Sequence, residues 1–166
     1  MFFIFGIVQV GLPKEENADL AIIGKLIKKY YPNTKLVKKM DDGLVESCGA
    51  DLDHPGYIKA DFNGDGKYDY ALLLSKKDSN ILVVFFMGKH DKYVPVFIEK
   101  EAAGDSIKLI KKGESIDAEE ELIGEQAGNH VVLKHHGIEA IFCEKSSIAF
   151  YWDEKKRTFI KVWTGD

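Results

Sequence analysis

Residues 57–87 read YIKADFNGDGKYDYALLLSKKDSNILVVFFM, and the patterns in this stretch decide the fold. Tyr57–Phe62 and Asp69–Ser75 are two apolar segments on either side of a glycine-rich loop, which predicts a pair of strands. Ile81–Met87 is a continuous apolar run of strand length, which indicates a central strand covered on both faces. The stretch therefore predicts the middle of a mostly antiparallel sheet.

Strand patterns continue on both sides of this stretch. The further predicted strands are Lys35–Met40, Leu44–Cys48, Tyr93–Glu99, Ile107–Ile110, Val131–Lys134, Gly137–Cys143, Ser147–Trp152 and Thr158–Trp163. Asp41-Asp42-Gly43 favours a hairpin between the first two. Pro95 predicts that its strand lies at an edge or contains a bulge. The acidic segment Glu114–Glu125 fits a short helix or a solvated loop.

Pro13–Tyr31 is the segment with clear helical periodicity. Its apolar residues recur at spacings of three and four, at Leu20, Ile23, Ile27 and Tyr30. This spacing makes one apolar helix face, and Pro32 ends the helix. The predicted fold class is α+β, with the N-terminal helix packed on a mostly antiparallel, meander-rich β-sheet of roughly eight strands. Residues 12–166 form a single domain in this prediction.

The composition of the 166-residue chain argues against several classes of partner. Hydrophobic residues make up 45% and charged residues 30%, which is typical of a folded soluble protein. The net charge is −4, and Arg157 is the only arginine among 23 basic residues. Nucleic-acid binding depends on a positive field and on the two-pronged donors of arginine. We therefore expect no nucleic-acid partner. We also expect a monomer.

Residues 1–11 (MFFIFGIVQVG) are apolar and uncharged, and they are too short for a stable transmembrane span. Their length matches the apolar core of a secretory signal, although no basic residue precedes them and no clean cleavage site follows. A signal-peptide remnant, an intact atypical signal and a buried first strand are the three interpretations. The remnant is favoured, and it predicts a periplasmic or secreted bacterial protein.

The chain has two cysteines, Cys48 and Cys143, which lie 95 residues apart. An oxidising compartment would allow one disulfide between them. The alternative is two small buried thiols. The sequence leaves both interpretations open.

The loop Asp61–Asp69 (DFNGDGKYD) has the pattern of a calcium site. Oxygen-bearing side chains occupy its positions 1, 3, 5 and 9, and glycines occupy positions 4 and 6. Ca²⁺ takes about six to eight oxygen ligands. The predicted ligands are Asp61, Asn63, Asp65, the carbonyl of Lys67, and Asp69. The alternative is a turn that is rich in Asp, Asn and Gly because these residues favour turns.

The loop is not an EF-hand, because its position 12 is Leu72 and not the bidentate glutamate of that motif. The predicted flanks are strands, so the ion would brace a strand–loop–strand unit. With no bidentate glutamate, we expect a dissociation constant of roughly 10⁻⁵ to 10⁻³ M. Such a site fills in the millimolar calcium outside a cell.

The stretch Ala60–Leu74 (ADFNGDGKYDYALLL) resembles the calcium loop of FG-GAP and VCBS-type repeats, known from integrin α-subunits and many bacterial secreted proteins. The resemblance implies that the four matching residues Asp61, Asn63, Asp65 and Asp69 bind calcium between two strands. It covers only this stretch, and one copy cannot build the propeller of the repeat family. The chain is also similar to small bacterial extracytoplasmic proteins that carry one such loop.

Catalytic motifs find no support in the sequence. No GxSxG is present, and neither cysteine has an activating motif. His135 and His136 are adjacent and precede Gly137. Adjacent histidines on a strand face opposite sides, so these two are not expected to share an ion. Aromatic residues of the last hairpin are candidates for partner binding, namely Tyr151, Trp152 and Trp163.

The sequence therefore predicts a non-enzymatic, calcium-binding extracytoplasmic domain that binds another protein or a glycan. An inhibitor or immunity-type protein against a secreted toxin or hydrolase is one use within this class. The alternative is a hydrolase in which the calcium loop is a structural brace.

Overall fold

The structure, a computed structural model, describes residues 14–37, 56–77, 79–101, 103–117, 130–143 and 146–164. The predicted Asp41-Asp42-Gly43 hairpin, the strand Leu44–Cys48 and residues 1–11 lie outside the described residues. So does most of the acidic segment Glu114–Glu125. The chain divides after Pro32 into two compact units.

Helix α1, Lys14–Tyr30, belongs to the first unit, Met1–Pro32. It begins and ends one residue inside the predicted helix, and its buried side includes Ile23 and Leu26. Lys28 and Lys29 lie in its last turn, where positive charge favours the helix dipole. Among the described residues, no helix is both long and apolar enough to cross a membrane. The packing of α1 on the sheet stays a prediction.

The described strands lie in the second unit, Asn33–Asp166, and the larger sheet has five of them. They are β1 (Lys35–Leu36), β2 (Tyr57–Ala60), β3 (Asp69–Lys76), β4 (Ser79–Met87) and β5 (Tyr93–Glu99). The order is β1-β3-β4-β5, and β2 pairs with β3 beside β1. Every pair is antiparallel.

A second sheet is formed by the later part of the chain. Its strands are β6 (Ser106–Ile110), β9 (Gly137–Phe142), β10 (Ser146–Asp153) and β11 (Thr158–Trp163), in the order β11-β10-β9-β6. A separate pair consists of β7 (Ser115–Asp117) and β8 (His130–Val132). The α+β class is confirmed, but the strands form two sheets and a two-stranded pair where the sequence predicts one sheet.

The two sheets share one hydrophobic core, to which their strands contribute alternate residues. From the first sheet the core takes Ala71, Leu73, Leu82, Val84 and Phe86; from the second it takes Ile138, Ala140, Ile148, Phe150 and Phe159. Alternate residues of a strand point to the same face. The opposite face of β3 and β4 is buried as well, since Leu72 and Val83 have no exposed surface. The prediction that Ile81–Met87 is covered on both faces is confirmed.

Pro95 lies in β5, which is the last strand of the described sheet order. Val84 pairs with Phe97 and Phe85 pairs with Pro95, so Val96 has no partner opposite it. This extra residue is a β-bulge, and a proline is tolerated at an edge or a bulge because it donates no hydrogen bond to the ladder. Both features predicted from Pro95 are confirmed.

Cys143 follows β9 and takes part in a disulfide bond. The only other cysteine of the chain, Cys48, lies outside the described residues. The interpretation as a free thiol is therefore wrong for Cys143, and the pairing with Cys48 stays a prediction.

Candidate functional site

The predicted metal loop connects β2 to β3, and its glycines allow it to coil tightly. Ala60 and Asp69 pair across the ladder, so the loop closes between adjacent strands. Gly64 and Gly66 have φ angles of +79° and +80°, a region that residues with a β-carbon rarely adopt. Asp61 is hydrogen-bonded to both glycines. Its Oδ1 accepts a hydrogen bond from Gly64 N at 2.7 Å, and its Oδ2 accepts one from Gly66 N at 2.8 Å.

Two further side chains hold the middle of the loop in its turns by hydrogen bonds to the backbone. Asn63 Oδ1 accepts a hydrogen bond from Asp65 N at 2.9 Å, and Asp65 Oδ1 accepts one from Lys67 N at 2.9 Å. Such side-chain turns are typical of Asn and Asp in tight loops. The Lys67 ammonium donates to the carbonyl of Gly88 at 3.3 Å, which ties the loop to the turn after β4. Asp65 is exposed and Asn63 is half-buried.

Asp69 anchors the loop to the sheet from within the protein. Its side chain has no exposed surface, and it accepts from Phe62 N at 3.1 Å and from Met87 N at 2.9 Å. The pKa of Asp69 is raised to about 7, mainly by burial and to a smaller extent by the charges of Asp65 and Asp61, while the two backbone hydrogen bonds act to lower it. The loop therefore concentrates negative charge that burial and mutual repulsion disfavour.

The acidic side chains of the loop do not form a preorganised metal site. Within the described part of the chain, no group of three or more His, Cys, Asp or Glu side chains is placed to hold a metal ion. The aspartates are instead turned toward backbone N–H groups. A carboxylate oxygen that accepts one N–H keeps another lone pair, so these side chains can still coordinate a cation. Carboxylate, amide and carbonyl oxygens are a hard donor set that suits Ca²⁺.

His135, from the loop between β8 and β9, lies against the metal loop. A β-carbon at Gly64 would overlap its imidazole. Its Nε2 hydrogen-bonds to Glu154 Oε1 at 2.7 Å, and this bond is the main reason why the pKa of Glu154 lies below its usual value. His136 differs, since its Nδ1 accepts from Lys112 N at 3.3 Å. The adjacent histidines therefore have separate partners, although they lie in a loop and not in a strand.

A surface cavity of about 480 Å³, largely open to solvent, lies between the metal loop and the hairpin of β10 and β11. It is lined by Asn63, Asp65, Phe86, Val96, Trp152, Glu154 and Arg157. Asn63 and Asp65 thus belong both to the metal loop and to the cavity wall. Glu154 and Arg157 are missing from the sequence-based site because they belong to no motif and lie far along the chain. The one available signal was that the only arginine stands in a turn between aromatic strands.

The aromatic residues predicted to bind a partner contribute to the packing of the second sheet. Trp152 contacts Phe86 edge to face, with ring centroids 4.9 Å apart, and Trp163 stacks on Phe142 at 6.3 Å. Tyr151 packs against the smaller core cluster beside β10. All three are half-buried. Of the three, Trp152 is the one that lines the cavity beside the metal loop.

No protein-family model, no curated protein and no solved structure matches this chain. The resemblance of Ala60–Leu74 to FG-GAP and VCBS-type loops therefore rests on the residues of the loop alone.

Proposed function

We propose that the chain is a non-enzymatic, calcium-binding domain of the periplasm or the extracellular space that acts by binding another protein or a glycan. The observation that carries the calcium proposal is the loop between β2 and β3. Three aspartates and an asparagine wind its nine residues, and the charges of Asp61 and Asp65 act on the buried Asp69. A divalent cation would relieve that repulsion.

In this proposal Asp61, Asn63, Asp65 and the carbonyl of Lys67 hold the ion. Asp69 completes the site, directly or through water. The ion supplies positive charge that holds the shape of the loop, and the hydrogen bonds from Gly64 and Gly66 keep Asp61 in place. The role of the metal is structural, since it braces the junction of two strands.

The location outside the cytoplasm is supported by the disulfide, and the expected calcium affinity is consistent with it. Cys143 is disulfide-bonded, and disulfides persist mainly in oxidising compartments. A calcium loop with a dissociation constant of roughly 10⁻⁵ to 10⁻³ M fills outside cells but not in the cytosol. Inhibition of a secreted hydrolase or toxin is one way in which such a binding domain would act.

The alternative function is a hydrolase, and the cavity beside the metal loop is the observation in its favour. Two carboxylates, Asp65 and Glu154, line it. A glycosidase of this kind needs one carboxyl group with a raised pKa as a proton donor. The pKa of Glu154 is instead lowered by the hydrogen bond to His135, so Glu154 is ionised at neutral pH. This favours a binding role for the cavity.

Thermal unfolding tests the calcium proposal. With a dissociation constant of about 10⁻⁴ M, 1 mM Ca²⁺ would stabilise the folded chain by about 1.4 kcal/mol. We expect the midpoint in calcium to exceed that in EDTA by about 3–6 °C. A midpoint that does not respond to calcium would contradict the proposal.

Two matched substitutions locate the effect. Asp65→Asn keeps an oxygen for the Lys67 N–H but removes a charge from the loop, so the calcium response should shrink. Asp105→Asn is the control, because Asp105 Oδ2 likewise accepts one backbone N–H, that of Cys143, outside the loop. It should respond to calcium like the wild type. Equal losses of response in both variants would place the ion elsewhere.

A further inference from the structure

We propose that the cavity between the metal loop and the β10–β11 hairpin binds a neutral sugar residue of a glycan. The inference rests on the proposed binding function and names the class of partner. The cavity has a volume of about 480 Å³, within the usual range of small-molecule sites. It combines an apolar surface with polar groups of both donor and acceptor type, which is the combination that a sugar requires.

The apolar part of the cavity consists of Trp152, Phe86 and Val96. Trp152 is fixed by edge-to-face contacts with Phe86 at 4.9 Å and with Phe159 at 5.5 Å. Val96 is the bulged residue of β5, and 37% of it is exposed. A sugar ring has an apolar face of C–H groups, and a rigid aromatic surface binds such a face at little entropic cost.

The polar part of the cavity offers donors and acceptors that the described residues leave available. Asn63 uses its Oδ1 within the loop, which leaves its amide N–H groups as donors. Glu154 engages its Oε1 with His135 Nε2, which leaves its Oε2 as an acceptor, whereas the second oxygen of Asp65 is assigned to calcium. Arg157 lines the same cavity, and its planar guanidinium carries five N–H donors. Hydroxyl groups both donate and accept, so neighbouring sugar hydroxyls can bond to each kind of group.

The backbone of Arg157 is fixed by the turn that it closes. Its φ angle is +52°, and it closes the turn after β10 with a hydrogen bond from its N–H to the carbonyl of Asp153. Glycine or asparagine suits such a position better. The chain instead has its only arginine here, facing a cavity with two carboxylates.

The charge of the lining selects against an acidic ligand. Two carboxylates, Asp65 and Glu154, face one guanidinium, and the chain as a whole carries −4. With calcium in the loop, the two charges of the ion do not offset the three aspartates Asp61, Asp65 and Asp69. Glu154 balances Arg157. A phosphate or a carboxylated sugar would therefore still meet net repulsion at this lining. A neutral polyhydroxylated ligand bonds to carboxylates and guanidinium alike without that cost.

Because Asn63 and Asp65 line both the metal loop and the cavity, calcium should support sugar binding. The test uses the full chain and four neutral probes: cellohexaose, chitohexaose, maltohexaose and laminarihexaose, each at about 5 mM. The chain has two tryptophans, so the ¹H–¹⁵N spectrum contains two indole N–H signals, which Trp163→Phe assigns. With calcium present, we expect at least one probe to move the Trp152 signal and leave the Trp163 signal in place.

Substitutions of exposed residues test sugar binding without disturbing the folded core. Arg157→Ala and Glu154→Gln should each weaken the binding of that probe by about tenfold or more, while the neighbouring Lys156→Ala should not change it. The proposal is overturned if no probe moves the Trp152 signal, or if Arg157→Ala binds as tightly as Lys156→Ala. A calcium-dependent unfolding midpoint without sugar binding would overturn this proposal alone. Sugar binding without any calcium response would retain it and remove the calcium loop from the proposed function.

Discussion

The surroundings of Asp69 disfavour the negative charge of its carboxylate but also hold the carboxylate by hydrogen bonds. The side chain is fully buried, near Asp61 and Asp65, and burial is the largest cause of its raised pKa of about 7. The backbone N–H groups of Phe62 and Met87 act in the opposite direction and hold the carboxylate in place. One residue thus joins the loop to the end of β4 at an electrostatic cost.

The raised pKa of Asp69 predicts a pH dependence of stability in EDTA. The native state keeps its proton up to pH of about 7, whereas the unfolded chain loses it near the ordinary value of 3.8. The contribution to stability is therefore complete below pH 3.8 and is lost as pH rises through about 7. We expect the unfolding midpoint of the wild type to fall between about pH 4 and pH 7 and to level off above that range.

Asp69→Asn has no such proton to lose, so its unfolding midpoint should depend less on pH. The midpoint should also be lower throughout, because an amide has one oxygen to accept the two backbone N–H groups that Asp69 binds. The Asp105→Asn variant should retain the slope of the wild type. Parallel pH profiles for the wild type and Asp69→Asn would rule out Asp69 as the source of the slope.

Gly64 and Gly66 form a natural matched pair. Both have φ near +80°, where alanine costs about 1–2 kcal/mol. A β-carbon at Gly66 would meet no atom within 4 Å, whereas one at Gly64 would displace the imidazole of His135. We expect Gly64→Ala to lower the free energy of unfolding in urea more than Gly66→Ala does. Equal losses would mean that His135 does not pack on the loop.

Strand β4 is buried on both of its faces. Val83 and Val84 are neighbours that point to opposite faces, and both have no exposed surface. Threonine has nearly the same shape as valine but brings a hydroxyl into an apolar site. We therefore expect Val83→Thr and Val84→Thr each to lower the free energy of unfolding by about 1–3 kcal/mol.

Val132→Thr in β8 is the matched control, because 58% of Val132 is exposed. Its effect should stay within about 0.5 kcal/mol. If only one of the two β4 variants loses stability, one face of the strand is accessible to water and the burial described for β4 is wrong.

The strands could be predicted from sequence where local patterns determine them. Tyr93–Glu99 and Thr158–Trp163 have the predicted bounds because turns or polar residues flank a compact apolar run. The division into two sheets could not be predicted, since pairing depends on contacts between distant residues. Ser106 of β6 pairs with Ile141 of β9, for example, and the intervening chain contains β7 and β8.

The same limit applies to the candidate site. Asp61, Asn63 and Asp65 could be found because a short loop holds them at a recognisable spacing. His135 and Glu154 could not be found, because the contact of His135 with Gly64 and its hydrogen bond to Glu154 form only when the chain folds and brings distant turns to the metal loop.

For the molecule as a whole, the disulfide at Cys143 should contribute to stability. A bridge that closes a long segment stabilises a fold by about 2–4 kcal/mol, mainly by restricting the unfolded chain. Reduction should lower the unfolding midpoint by about 5–15 °C, as measured by calorimetry with and without dithiothreitol. Cys143→Ser should start at the lower midpoint and not respond to reductant. Two free thiols in the denatured, unreduced chain would contradict the bridge.

The metal loop, the second sheet and the cavity between them form one connected arrangement. The loop closes β2 and β3 of the first sheet, and the turn after β10 supplies Glu154 and Arg157 from the second. A cation that fixes the loop would therefore also fix one wall of the cavity. Calcium binding at the loop is the claim on which this arrangement depends.

Isothermal titration of Ca²⁺ into metal-free protein at neutral pH tests that claim most directly. We predict one ion per chain, with a dissociation constant of roughly 10⁻⁵ to 10⁻³ M. The constant should rise at least about tenfold in Asp65→Asn and stay unchanged in Asp105→Asn. The absence of calcium binding up to about 10 mM, or equal affinity in the wild type and Asp65→Asn, would contradict a calcium site at residues 61–69.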